Sequence, residues 1–304
     1  MPESYRKRGF FGPNTAVARE IAQLDAVADC QRIVHLLTAY EFAWDFERAL
    51  ELALFYTYGS APISQLLDKT GEFRKQGQKR YDDTKLLITH FMQGGWDGEE
   101  GRRALARMNR THGHYRIDQD DFIFTLWTFI ALPLRWAGNW SPRAMTAHER
   151  SAWFNFWLEI GRRMNIRDIP QTPAAYEAWI VDYKRRTFIP SDASARVATD
   201  TVRIIEGWLP APLRRLAAPA IYSLFDDDPQ FLAAIKAPRP PDWLRPVVER
   251  ALKSLAVLRR HVVLGAYPVL IKTQESRTYG ERACAIEALA PERILSAERC
   301  KEGN

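Results

Sequence analysis

The sequence predicts an all-α protein, a single multi-helix bundle spanning residues 1–304. Three observations carry this prediction. Apolar residues recur at three- and four-residue intervals along most of the chain, no alternating stretch is long enough for a real sheet, and glycine or proline clusters separate the periodic segments. With 304 residues and 46% hydrophobic composition, the chain can bury a substantial core. No internal repeat or low-complexity tract divides it.

The periodicity predicts helices over 14–29, 31–57, 73–93, 98–113, 119–137, 146–164, 173–187, 194–208 and 241–259, with shorter pieces between. Gln93-Gly94-Gly95 stops the third helix. Asp97-Gly98-Glu99-Glu100 has the spacing of a capping box and predicts that the fourth opens at Asp97. Asp120-Asp121 introduces the fifth, whose run from Phe122 to Leu134 is apolar nearly all round and therefore belongs in the middle of a bundle. That run is the longest in the chain, too short to span a bilayer, and it contains Pro133. Thr172-Pro173 sets a capping hydroxyl before a first-turn proline, and Ser191-Asp192 precedes the next helix. Ala237-Pro238-Arg239-Pro240-Pro241 reads as an interhelical loop.

Composition excludes several classes. Cys30, Cys284 and Cys300 lie far apart, with no disulfide-framework or zinc spacing, which fits a reducing compartment. The basic stretch Met1 to Phe11 lacks the apolar segment of a signal peptide, so the expected location is cytoplasmic. The net charge of +6 is scattered: Lys184-Arg185-Arg186, Arg214-Arg215 and Arg259-Arg260 read as solvated helix faces outside any nucleic-acid module. The expectation is no nucleic-acid partner and no transmembrane segment, with weak peripheral contact to anionic lipid still open. Ten tryptophans spread over most helices are expected mainly in the core, a minority lining an apolar pocket.

Chemistry concentrates in two places. Leu105, Met108, His112 and Tyr115 follow one another by three, four and three residues and share the apolar stripe of their helix. Arg103, Arg107, Arg110 and His114 repeat on nearly the opposite face, so His112 is predicted to point inward and His114 outward. An inward imidazole on an apolar face suits an axial haem ligand, and it equally suits a core histidine bonded to carbonyls or hydroxyls. One helix earlier, Arg80, Asp83 and Thr84 share a face by their three- and four-residue spacing. They suit the polar end of a ligand, a haem propionate or iron-bound oxygen, and they equally suit a plain Arg–Asp pair beside a threonine. A non-haem iron site from His90, His112 and a carboxylate such as Asp83 is a third arrangement. Glu72 is a candidate base that reads more simply as an exposed capping residue, and His35, His148 and His261 read as structural or surface residues.

Together these segments carry a resemblance. Lys79-Arg80-Tyr81-Asp82-Asp83-Thr84, Gly101-Arg102-Arg103-Ala104, Met108-Asn109-Arg110-Thr111-His112, Tyr115-Arg116-Ile117, Asp121 to Leu126 and Gly161 to Pro170 resemble, in that order, the mpaB-type oxygenases and the catalytic domain of rubber oxygenase (latex-clearing protein). The likeness covers about 72–190 and returns weakly at Thr278-Tyr279-Gly280. It implies an all-α, globin-like core holding haem b, with dioxygen used to cleave C=C bonds of an apolar, isoprenoid substrate. His112 matches the axial ligand, and Arg80 and Thr84 match residues beside the haem. Asp83 stands where rubber oxygenase has lysine, which reverses the charge there. A haem-dependent oxygenase is the function this implies, with Arg80, Asp83 and Thr84 as catalytic candidates; the alternative is a helical protein that binds haem or an isoprenoid without turnover.

Overall fold

Fourteen α-helices follow one another along the chain, and no strand interrupts them among the residues that a computed structural model describes, 15–261, 268–270, 276–280 and 285–302. They are α1 (Thr15–Gln23), α2 (Cys30–Leu36), α3 (Ala43–Thr57), α4 (Ala61–Thr70), α5 (Glu72–Gly94), α6 (Glu99–His112), α7 (Gln119–Trp140), α8 (Ala147–Arg163), α9 (Pro173–Thr187), α10 (Asp192–Trp208), α11 (Arg214–Ser223), α12 (Pro229–Ala234), α13 (Leu244–His261) and α14 (Glu292–Glu302). None of the described helices is long and apolar enough to cross a membrane.

The apolar faces decide the packing. α7, buried on most sides, lies chiefly against α3 and also contacts α8, α9 and α13. α5 packs on α6, and α10 crosses both α4 and α5. Trp136, Trp140, Trp153 and Trp157 sit in the core, where Phe46 stacks on Trp153 with centroids 4.4 Å apart. Trp243, by contrast, is 63% exposed. One buried carboxylate ties three helices together: Asp45 of α3 accepts from Trp136 Nε1 (3.2 Å), Ser141 Oγ (2.7 Å) and Arg259 Nη2 of α13 (2.7 Å). Each partner compensates part of the cost of burying that charge.

Several expected boundaries move, each for a local reason. The helix expected over 14–29 ends at Gln23, because Asp25 accepts the backbone N–H groups of Val27 and Ala28 at 2.8 Å each and closes a turn. The helix expected over 31–57 is two helices separated by a π-turn, Leu37–Glu41, and a break at Phe42 (φ −127°, ψ 25°). Asp97 does not cap α6; Gly98 occupies the N-cap, and Asp97 instead accepts from Gln31 Nε2 at 2.7 Å. Arg107, expected on the solvent face, is buried beneath α14, where Glu298 receives its Nη1 at 2.8 Å. Cys30 is buried and Cys300 exposed, both unpaired, and Cys284 lies outside the described residues.

The α5–α6 turn leaves no room for a side chain at Gly98 or Gly101. A Cβ on Gly101 would lie 1.8 Å from the Gly95 carbonyl oxygen, a backbone atom that cannot swing aside. Gly95 itself has φ +67°, a left-handed conformation that glycine adopts without strain. Gly101→Ala should therefore force α6 away from α5 and destabilise the fold by about 1–3 kcal/mol or more. Chemical denaturation followed by circular dichroism reads this, and a midpoint equal to that of the wild type would show that the crossing has slack.

Candidate functional site

Between α3, α4, α5, α6 and α7 lies a cavity that opens to solvent. Helix periodicity aims the walls at it. From α5 come Arg80, Thr84, Leu87, Ile88 and Phe91; from α6, Met108 and His112; from α7, Asp121, Phe122, Thr125 and Phe129. These spacings place each set on one side of its helix. Trp157 is the one tryptophan on the described lining, whose character is mainly aliphatic and aromatic.

His112 reaches this cavity from the last turn of α6, with its ring edge-on to Phe122 at 5.4 Å between centroids. Its Nδ1 is buried and has no hydrogen-bond partner among the described residues. Burial, and then the positive charge of Arg80, push its pKa down to about 4, so the imidazole is neutral at physiological pH. His114 takes the opposite direction: it is exposed and its Nδ1 bonds the Arg110 carbonyl at 2.8 Å. Thr111 Oγ1, next to His112 on the lining, is likewise buried without a partner among the described residues.

Arg80 and Thr84 meet on the α5 wall. Arg80 Nη1 donates to Thr84 Oγ1, the Thr84 hydroxyl donates to the Arg80 carbonyl at 2.9 Å, and the guanidinium lies 5.8 Å from the centre of the Phe73 ring. Asp83 is not with them. It is absent from the lining and faces away, held by Lys79 Nζ at 2.7 Å and by the Tyr279 hydroxyl at 2.5 Å. The expected Arg80–Asp83 pair is thus replaced by an i,i+4 pair with Lys79, the residue one turn earlier on the same face. Burial raises the Asp83 pKa, with the Lys79 and Tyr279 bonds opposing.

The non-haem arrangement does not assemble. His90 Nδ1 stands 3.8 Å from Glu100, and no group of three or more His, Cys, Asp or Glu side chains converges for a metal ion among the described residues. Glu72, expected as an exposed cap, instead lines the cavity and is partly buried. Sequence reasoning also passed over Asp121 as a site residue, reading it as a helix opener; its four-residue spacing to Thr125 and eight-residue spacing to Phe129 was the available signal.

With this geometry, comparison with known proteins becomes specific. Residues 54–260 match the family described as ER-bound oxygenase mpaB/B'/Rubber oxygenase, catalytic domain. The chain belongs to this family. It is 26% identical over 252 residues to ER-bound oxygenase mpaB' of Penicillium brevicompactum, covering 77% of this chain and 59% of that protein. It is 28% identical over 226 residues to ER-bound oxygenase mpaB of the same species, covering 68% and 56%. The chain therefore spans little more than half the length of these curated relatives.

The mpaB/rubber oxygenase match contains all of α5 to α12, and so the helices that supply Arg80, Thr84 and His112. The Thr278-Tyr279-Gly280 segment lies beyond it in sequence yet bonds directly to α5. Asp82 Oδ2 accepts from Ser276 Oγ (3.0 Å), the Thr278 N–H (2.8 Å) and Thr278 Oγ1 (2.5 Å), while Lys79 Nζ donates to the Ala290 carbonyl at 2.7 Å. Asp82 and Asp83 thus fasten the C-terminal segment to the back of the site helix. Asp83→Lys would set two ammonium groups side by side and should destabilise the fold by about 3 kcal/mol. Hydrogen exchange should quicken at 276–280 and 285–302 with ligand uptake by the cavity unchanged; normal protection there, with altered uptake, would place the side chain at the cavity after all.

Proposed function

We propose that this domain is a haem b-dependent oxygenase that uses dioxygen to cleave a C=C bond in an apolar, isoprenoid-like substrate. The observation that carries the reading is the His112 imidazole: neutral, on the wall of a mainly apolar cavity, and without a hydrogen bond among the described residues. A buried imidazole ordinarily satisfies its nitrogens, and one left unsatisfied in such a place suits an iron ligand. Membership of an oxygenase family supports the reaction class.

The residues present fit the cofactor. His112 would hold the iron, the apolar side chains of α5 and α7 would enclose the macrocycle, and Arg80 would meet an anionic or polar edge. Haem, once bound, supplies dioxygen activation. The chain does the rest. Thr84 Oγ1, itself held by its bond to the Arg80 carbonyl, accepts from the Arg80 guanidinium, so that the cation is already oriented when a ligand enters. Phe91, Phe122 and Phe129 exclude water and accept an apolar chain.

The test compares two histidines that stand two residues apart. His112→Ala should lower haem retention at least about tenfold, measured by Soret absorbance per protein, whereas His114→Ala should retain haem like the wild type. Equal retention in the two variants would end the haem assignment. A haem-loaded wild type that yields no carbonyl product from an isoprenoid under oxygen would favour a binding protein over an oxygenase.

A further inference from the structure

A buried carboxyl stands on the cavity wall with one oxygen hydrogen-bonded and the other without a hydrogen bond among the described residues. Asp121, in the first turn of α7, is 8% exposed and lines the cavity beside Phe122 and Thr125. Its Oδ1 accepts from the Tyr183 hydroxyl at 2.6 Å, and Tyr183 Oη in turn lies 2.8 Å from Ser60 Oγ. Tyr183 and Ser60 are fully buried, so this chain of three holds the carboxyl in one orientation. Oδ2 has no hydrogen bond among the described residues, and Asp121 is one of the residues that line the cavity.

No cation is among the groups acting on this carboxyl. Burial raises its pKa, the Tyr183 bond opposes, and the neighbouring Asp118 and Asp120 raise it further. A mostly buried carboxyl without a counter-charge gains from a bond to a neutral polar ligand group. A hydroxyl serves it in either protonation state, since it donates to a carboxylate and accepts from a carboxylic acid. An anionic group would be repelled by the ionised form, and Arg80 on the α5 wall is the better place for one.

We propose that Asp121 is a substrate-contacting specificity residue, and that the cavity takes an apolar chain bearing a hydroxyl group that bonds Asp121 Oδ2. This deepens the proposed function and rests on its apolar-ligand reading. It is independent of the iron assignment.

The experiment measures binding by the purified protein of 1-octanol and of octane, each titrated separately, with bound probe quantified by gas chromatography after a desalting column. In the Asp121→Leu variant the ratio of alcohol affinity to alkane affinity should fall by roughly threefold to tenfold relative to wild type. Asp121→Asn, which keeps the size of the side chain and its hydrogen-bonding atoms, should preserve most of the ratio. If Asp121→Leu does not fold, Asp121→Ala shortens the side chain without adding apolar bulk and gives the same readout. Parallel changes for the two probes would overturn the proposal and leave the apolar-ligand reading intact. Failure of either probe to bind the wild type would overturn both.

Discussion

The backbone of α6 turns back onto α5 with no space for a side chain at Gly101, and the rest of the site depends on that approach. α5 carries Arg80 and Thr84 on one side, and α6 delivers His112 at its far end. A helix displaced at its start by a methyl group moves at its end as well, because helices are stiff and interiors are packed at near-crystalline density. The glycines of Gly94-Gly95 and Gly101 therefore set the relation between the guanidinium and the imidazole. That relation is electrostatic as well as geometric, since the Arg80 charge is one of the two causes that keep His112 unprotonated.

α5 also has to satisfy its other side. Asp82 and Asp83 are both buried, and each would be costly without partners. Their partners are Lys79 and Gln78 one turn away and the Ser276-to-Tyr279 segment. α14 adds a second attachment through Glu298 on buried Arg107 of α6. The same two helices that form the cavity are thus backed by the C-terminal segment, and a polar network on the outside of the site holds the apolar wall on the inside. Buried ion pairs of this kind contribute little net stability but are strongly destabilising when one partner is lost.

How much of this was legible in sequence follows from the range of the interactions. The helices themselves, the inward turn of His112 and the shared face of Arg80 and Thr84 all follow from 3.6-residue periodicity, a local property. Asp83 was placed wrongly because three-residue spacing to Arg80 looked sufficient, while Lys79 competes from four residues away and Tyr279 from 196. Arg107 was read as solvated because its partner Glu298 lies 191 residues downstream. The Asp97 cap failed for a similar reason, its carboxylate being drawn to Gln31 across 66 residues. Short helices such as α4 and α12 offer too few turns for a periodic signal, and Asp121 was hidden by its conventional position at a helix start.

Among the polar groups on the mainly apolar cavity wall are a neutral imidazole, a guanidinium held by a threonine, and a carboxyl held by a tyrosine. A mostly apolar pocket with a few placed polar groups, the guanidinium and the Asp121 carboxyl each held by a second residue, suits one pose of a mostly apolar ligand. In the proposed function the imidazole is the iron ligand. Resonance Raman spectroscopy of the ferrous, haem-loaded protein tests it most directly, with wild type compared to His112→Gly before and after addition of free imidazole. Iron ligation by His112 predicts an iron–histidine stretch in wild type, its loss in the variant, and a shifted iron–imidazole band on addition of the free base. An unaltered iron–histidine band in His112→Gly would contradict it.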